Sequence, residues 1–241
     1  MSEQDNKEMP LMGHLQEFRI RLIISLVVVA ITSSVAYNWV EEIIAMISAP
    51  AGKLYFMNPA EVFFSYLEIA VFTGVVVSLP VIVWELWCFV APAFTRHEKR
   101  LALALVPACV VLFYTGLIFS YFLVLPAAVR FFMGFATETL QPMFSLEAYL
   151  SFFISFVLPF GFAFELPLVL FLLMRVGIVS PAFLRRKRKI FIVLAFIFAA
   201  VISPTADIFT QTMIAVPMIV LYQASLILMR FVKPKEEQTG A

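Results

Sequence analysis

The sequence predicts an all-α integral membrane protein with six transmembrane helices, on the basis of its composition and its long apolar runs. Of the 241 residues, 63% are hydrophobic and 14% are charged, and the mean hydropathy is +0.99. Ordinary globular domains carry about 25% charged residues. A soluble core could not hide 27 Phe residues under so little polar surface, so lipid must be the main solvent.

The apolar runs give the positions of the helices, since a helix needs about 20 apolar residues to cross a hydrocarbon core of about 30 Å. Four runs meet this length. The fifth has 13 residues, about 20 Å of helix, and the sixth opens with polar residues, so we expect a short hairpin that thins the bilayer locally. In one membrane domain covering residues 1–241, the predicted spans are 20–37, 67–90, 101–125, 149–176, 190–202 and 209–229.

Prolines inside the predicted spans indicate bent helices. Proline removes a backbone hydrogen bond and tends to kink a helix, although prolines are also common in membrane helices generally. Bent helices can enclose a concavity, so we expect a concave, glove-like bundle. The prolines concerned are Pro80, Pro107, Pro159, Pro167 and Pro217.

The distribution of Lys and Arg predicts the orientation. Of the 17 basic residues, all except Lys53 and Arg130 lie beside the N-terminus, the two even-numbered loops or the C-terminus. The positive-inside rule then makes both termini cytoplasmic, including the tail 232–241. We expect a multi-pass protein of the cytoplasmic (inner) membrane of a prokaryote. The basic run Arg185–Lys189 is typical of a topology anchor that touches anionic lipid, rather than of a nucleic-acid site.

The segment 1–19 is predicted to be an amphipathic helix on the cytoplasmic leaflet, since Leu11, Leu15 and Phe18 recur at helical spacing. Glu17 is unexpected near anionic lipid. It could simply form an i,i+4 salt bridge with Arg21, worth a few tenths of a kcal/mol, or it could bind a ligand.

The first predicted cytoplasmic loop also contains an acid that could have either a structural or a binding role. Pro92 ends one helix, Thr95 is a plausible N-cap of the next, and Glu98 stands at the third helical position. This spacing is typical of a capping box. Glu98 is therefore either a capping residue or a displayed acid.

Two acids lie within predicted spans. Glu165, between Pro159 and Pro167, falls in the bilayer interior, where an acid costs roughly 2.5 to 3.5 kcal/mol to insert and usually faces a cavity or partner. Glu85, between Trp84 and Trp87, is closer to the cytoplasmic end, where snorkelling to the interface is the simpler interpretation.

The sequence has none of the common motifs for catalysis, cofactor binding or metal binding. The two histidines, His14 and His97, lie outside the spans, so no His-Glu-x-x-His zinc site can form. The cysteines, Cys88 and Cys109, lie in apolar runs and supply neither a disulfide framework nor a thiolate cluster. We expect no enzyme activity, no cofactor and no bound metal.

Five short motifs occur along the chain. They are His14–Arg19, Ser48–Pro50, Phe89–Pro92 with His97–Arg100, Phe164–Pro167, and Ser203–Pro204 with Asp207–Gln211. In this order and at these spacings, the motifs resemble those of the TatC family, the multispanning receptor subunits of the twin-arginine protein translocase. The resemblance implies binding of Arg-Arg signal peptides on folded cargo and assembly with the single-span proteins TatA and TatB, with export driven by the proton-motive force. It also implies a homo-oligomer within a larger complex.

The resemblance also assigns roles to residues. A guanidinium pairs with a carboxylate through two hydrogen bonds that Lys cannot reproduce, which fits acids at a signal-peptide site. Pro50 belongs to a structural loop. The implied signal-peptide site comprises Glu17, Glu98, Phe89, Pro92 and Arg19. The implied contacts with partner helices are Glu165, Asp207, Gln211 and Ser203.

Two other functions stay open at this point. A proton-coupled secondary transporter could use Glu165 as its proton-carrying group. A purely structural membrane anchor would have no affinity for signal peptides.

Overall fold

A computed structural model describes residues 11–90, 96–175, 177–203, 205 and 207–229, without the side chains of residues 11, 12, 96–102 and 104. Within these ranges the chain forms ten α-helices and two strands of two residues each. The helices are α1 (Leu11–Ala36), α2 (Val40–Ser48), α3 (Pro59–Val90), α4 (Arg96–Phe119), α5 (Leu125–Met133), α6 (Leu146–Phe164), α7 (Leu166–Arg175), α8 (Pro181–Arg186), α9 (Arg188–Ile202) and α10 (Ile208–Leu228).

The predicted class, an all-α membrane protein, is confirmed. In the described residues, five helical stretches are long and apolar enough to cross a bilayer. The predicted fifth span lies in α9, whose 15 residues are about 22 Å long. The number of six spans stays a prediction. The five stretches are Gly13–Ser48, Pro59–Val90, Leu105–Met133, Leu146–Arg175 and Ile208–Leu228.

Two helices differ from the predicted spans because of proline. The third predicted span, 101–125, continues to Met133 through a π-helical turn at Ser120–Val124. Pro126 has no N–H to donate to the carbonyl of Phe122, and a wider turn accommodates this. The fourth predicted span, 149–176, is divided between α6 and α7 at Glu165. Here Pro167 lacks an N–H, and its ring conflicts with the carbonyl of Ala163.

Contacts divide the chain into two compact units, residues 1–40 with 67–106 and residues 41–66 with 107–241. In the first unit α1 meets α3 closely. The Thr32 hydroxyl donates a 2.9 Å hydrogen bond to the carbonyl of Gly74, and a side chain at Gly74 would collide with Ser33.

The second unit has an apolar core built on α6, α9 and α10. Phe156, Phe160 and Ile214 are almost fully buried there. The Tyr222 hydroxyl donates a 2.7 Å hydrogen bond to the carbonyl of Leu184, and the Tyr222 ring stacks on Phe191. These contacts hold α10 against α8 and α9.

The non-helical segments of the second unit are also tied together. Strands β1 (Leu54–Tyr55) and β2 (Phe144–Ser145) pair in parallel. The Tyr149 hydroxyl donates a 2.9 Å hydrogen bond to the carbonyl of Ile47, at the end of α2. Pro50, predicted as a structural loop residue, lies in the turn that follows α2 and is partly buried.

Candidate functional site

A cluster of three charged side chains joins α1 to the last turns of α3, in the first unit. Arg21 donates hydrogen bonds to Glu17 from Nη2, at 2.7 Å, and from Nε, at 3.1 Å. Arg21 also donates from Nη1 to Glu85 Oε2 at 3.0 Å. The three side chains are 14 to 25% exposed, so water screens the pairing only in part.

An aromatic group lies beside these charges. The ring of His14 stacks on Phe89, with 4.3 Å between the ring centroids, and Phe18 packs against the same ring at 5.3 Å. Phe89 is thus held against α1 by Phe18, which is next to Glu17 in the sequence, and by His14, about one turn earlier. The structure therefore brings together two of the residues predicted for one site, Glu17 and Phe89, and Arg19 is exposed on the same helix.

The structure does not show the positions of the other two side chains predicted for this site. Pro92 lies outside the described residues, and for Glu98 the structure describes the backbone of α4 but not the side chain. Their roles stay predictions.

The local salt bridge considered for Glu17 is present, but it does not saturate the carboxylate. Both hydrogen bonds from Arg21 reach the same oxygen, Oε1. The other oxygen, Oε2, is buried and has no hydrogen-bond partner among the described residues. An unsatisfied buried acceptor costs free energy that an incoming donor would recover. The surface depression at this position has a volume of about 450 Å³ and is lined along α1 by Gly13, Gln16, Glu17, Ile20, Arg21 and Ile24.

Sequence reasoning missed the part played by Glu85. Its carboxylate binds Arg21 rather than extending alone to the membrane interface. The sequence did contain one indication of this contact: Arg21 and Glu85 both lie near the predicted cytoplasmic ends of their spans.

Glu165 lies at the break between α6 and α7, in the second unit. Its side chain interacts with the Cys109 thiol, and Oε1 is buried without a hydrogen-bond partner in the described part of the chain. Cys109, for which the sequence indicated only a position in an apolar run, thus contacts the intramembrane acid. The free oxygen could accept a hydrogen bond from a polar group on another helix.

A close helix crossing places Cys109 beside Glu165. A side chain at Gly116 in α4 would collide with the carbonyl of Phe160, and one at Gly161 in α6 would meet the ring of Phe113. Cys109 lies two turns before Gly116 on the same face, and Glu165 lies one turn after Gly161. Small residues allow such an approach of membrane helices.

The residues predicted to bind partners in the last hairpin are engaged within the turn. The Ser203 hydroxyl donates to the carbonyl of Thr205 at 2.5 Å. Asp207 is the N-cap of α10, accepting a 2.8 Å hydrogen bond from the backbone N–H of Thr210. Gln211 donates from its amide to the carbonyl of Phe196, in α9, at 3.2 Å. These bonds fix the hairpin and still leave Asp207 Oδ2 without a partner among the described residues.

The environment of Asp207 favours its charged form. Partial burial raises the pKa of this carboxyl, but hydrogen bonds from Thr205 and Thr210 outweigh the burial, so the pKa lies below its ordinary value. Asp207 therefore carries its negative charge at neutral pH.

These features define a class: a multi-pass helical membrane protein with partly buried acids and with no cluster of metal ligands in the part of the chain that the structure describes. The family model described as Sec-independent protein translocase protein (TatC) matches residues 13–217. The chain belongs to the TatC family.

Individual relatives agree with this assignment. The chain is 40% identical to TatC of Desulforapulum autotrophicum over 94% of its length and 86% of that protein. It is 36% identical to TatC of Carboxydothermus hydrogenoformans, over 96% and 97% of the two chains. A crystal structure of the twin arginine translocase receptor TatC, 36% identical, superposes with a TM-score of 0.80 over 90% of this chain and 98% of that one.

The predicted family is therefore confirmed. The chain is a component of the Sec-independent protein translocase, a non-enzymatic multi-pass membrane protein that works in a complex with other Tat subunits. The comparisons give no support to a small-molecule carrier or to a purely structural anchor.

Proposed function

We propose that this chain binds the Arg-Arg signal peptides of folded proteins at the membrane face that carries Glu17, Phe89 and Glu98. The observation that supports this most directly is the buried oxygen of Glu17 that has no hydrogen-bond partner among the described residues. Such an oxygen is well suited to a guanidinium, which donates hydrogen bonds, and the rings of Phe18 and Phe89, packed together between α1 and α3, are of the kind on which a guanidinium stacks.

Each of two acids would take one arginine of the peptide. Glu17 offers its oxygen from α1, and Glu98 belongs to the first turn of α4. The basic residues around them, Arg19 among them, repel cations that lack a matching geometry. A Lys-Lys peptide would bind less well, because an ammonium group is a point charge without the planar fork of donors.

The second part of the proposal concerns assembly and topology. TatA and TatB would dock on Glu165 and on the hairpin that contains Ser203, Asp207 and Gln211, and several copies of this chain would join one complex. Both termini would be cytoplasmic, in the inner membrane of a prokaryote, as the distribution of basic residues indicates. Export would be driven by the proton-motive force.

Copurification of the full chain with a reporter tests the first part. We expect an Arg-Arg reporter to be retained and its Lys-Lys version to be lost. Glu17→Gln should weaken retention about tenfold or more, since a hydrogen bond to a charged group is worth about 1.5 to 3 kcal/mol. Glu98→Gln should act in the same direction.

The matched control is Glu42→Gln, an exposed acid in α2 on the side predicted to be external. It should leave retention unchanged. Undiminished retention by the Glu17→Gln, Glu98→Gln double variant would reject the proposal.

A further inference from the structure

The hydrogen bonds around Arg21 are asymmetric. Two of its donors converge on one oxygen of Glu17, and the third bonds Glu85. Arg21 therefore does not form the two parallel bonds, one to each oxygen, that arginine and carboxylate often adopt.

Glu85 holds the third donor of this guanidinium. The guanidinium is planar and rigid, so the 3.0 Å bond from Nη1 to Glu85 Oε2 restricts the orientation of the other donors. Turning the plane so that Nη2 reached Oε2 of Glu17 would draw Nη1 away from Glu85. In the observed arrangement Oε2 of Glu17 has no hydrogen-bond partner among the described residues.

The charges are consistent with a place for one more cation. The cluster has two carboxylates and one guanidinium, so it carries one net negative charge, and its side chains are at most 25% exposed. A second guanidinium would neutralise the cluster and satisfy the remaining buried acceptor.

We infer that Glu85 is a positioning residue of the signal-peptide site: by binding Arg21 from α3, it prevents Arg21 from closing on both oxygens of Glu17 and keeps Oε2 available to an arginine of the peptide. The inference rests on the proposed function, which does not include Glu85. It also makes Arg21 an internal competitor for Glu17, restrained in the wild-type chain.

Two substitutions of Glu85 separate positioning from charge. Glu85→Gln and Glu85→Met both remove the negative charge, but only Gln keeps an oxygen that can accept from Arg21. We expect Glu85→Met to lower retention of an Arg-Arg reporter by the full chain about tenfold or more, the loss expected for one hydrogen bond to a charged group. Glu85→Gln should stay within about twofold of wild type, because its neutral hydrogen bond still holds Arg21.

A second substitution tests the competition. Adding Arg21→Met to Glu85→Met removes the competitor and should restore retention to the wild-type level. A loss caused by damage to the fold would not be rescued in this way. If Glu85→Met is too unstable to purify, the Arg21→Met, Glu85→Met double variant is used alone. Retention of the Arg-Arg reporter below the wild-type level by this double variant would contradict the inference.

The outcomes also separate this inference from the proposal on which it rests. If the wild-type chain retains Arg-Arg and Lys-Lys reporters equally, the proposed function fails. If the wild type discriminates between them but Glu85→Met and Glu85→Gln bind equally well, positioning by Glu85 is rejected and the proposed function stands.

Discussion

The hydroxyl of Ser145 donates a 2.6 Å hydrogen bond to the carboxylate of Glu61, although the two residues are 84 positions apart in the chain. The same carboxylate accepts from the backbone N–H groups of Met57, at 2.8 Å, and Glu147, at 3.1 Å. Glu61 is 8% exposed. One side chain thus fastens the start of α3 to the start of α6, next to the paired strands β1 and β2.

Glu61→Ala should therefore destabilise the fold. It leaves three donors without their acceptor, and hydrogen bonds to charged groups are among the stronger ones. We expect the Tm of the purified protein in detergent to fall by several degrees. Glu42→Ala, which removes an exposed acid of α2, should leave the Tm nearly unchanged. Equal Tm values for Glu61→Ala and Glu42→Ala would show that Glu61 does not stabilise the contact between the starts of α3 and α6.

A methyl group at Gly116 should disturb the crossing of α4 and α6. Gly116→Ala puts a Cβ against the carbonyl of Phe160, and overpacking of this kind costs about 1 to 3 kcal/mol. The comparison is Gly13→Ala in α1, where a Cβ meets no described atom within 4 Å and should be neutral or slightly stabilising. Chemical unfolding in detergent measures both. A Gly116→Ala protein as stable as Gly13→Ala would contradict the crossing.

Glu165→Ala should weaken the association with TatA or TatB while the fold survives. Interhelical hydrogen bonds in membranes are worth about 0.6 to 2 kcal/mol, so we expect about a three- to thirtyfold loss in copurification. Glu165→Gln keeps an acceptor oxygen and should lose less. Glu147→Ala, which removes an exposed acid at the start of α6, is the control. Unchanged association of Glu165→Ala would count against a partner at this position.

The sequence predicted the features that depend on composition and on local pattern. Long apolar runs required a helical membrane protein, and the i,i+4 spacing of Glu17 and Arg21 anticipated the salt bridge that the structure contains. The resemblance of five short motifs led to the family that the comparisons confirm.

The sequence could not predict side-chain contacts between segments that are far apart in the chain. The contact of Arg21 with Glu85 and that of Glu61 with Ser145 join positions 64 and 84 residues apart, and no local period carries that information. The sequence also did not predict the division between α6 and α7 at Glu165, because a proline inside an apolar run does not reveal whether the helix bends or divides. Hydropathy placed the third span but could not foresee the π-helical turn that prolongs it to Met133.

The last hairpin should thin the bilayer. α9 has 15 residues, about 22 Å of helix, against a hydrocarbon core of about 30 Å. Its first residues, Arg188 and Lys189, favour the headgroup region at the end predicted to be cytoplasmic, so Ser203 at the other end would lie several ångströms below the opposite headgroups of an undisturbed bilayer. A short span is accommodated by local thinning of the lipid, at a cost of fractions of a kcal/mol per Å. If the lipid thins in this way, a spin label at position 203, in the full chain in liposomes, should be about as accessible to a polar relaxation agent as a label at Glu42. The thinning is disproved if the label at position 203 is shielded from the polar agent while the label at Glu42 is not, because the outer headgroups would then stay above the end of α9.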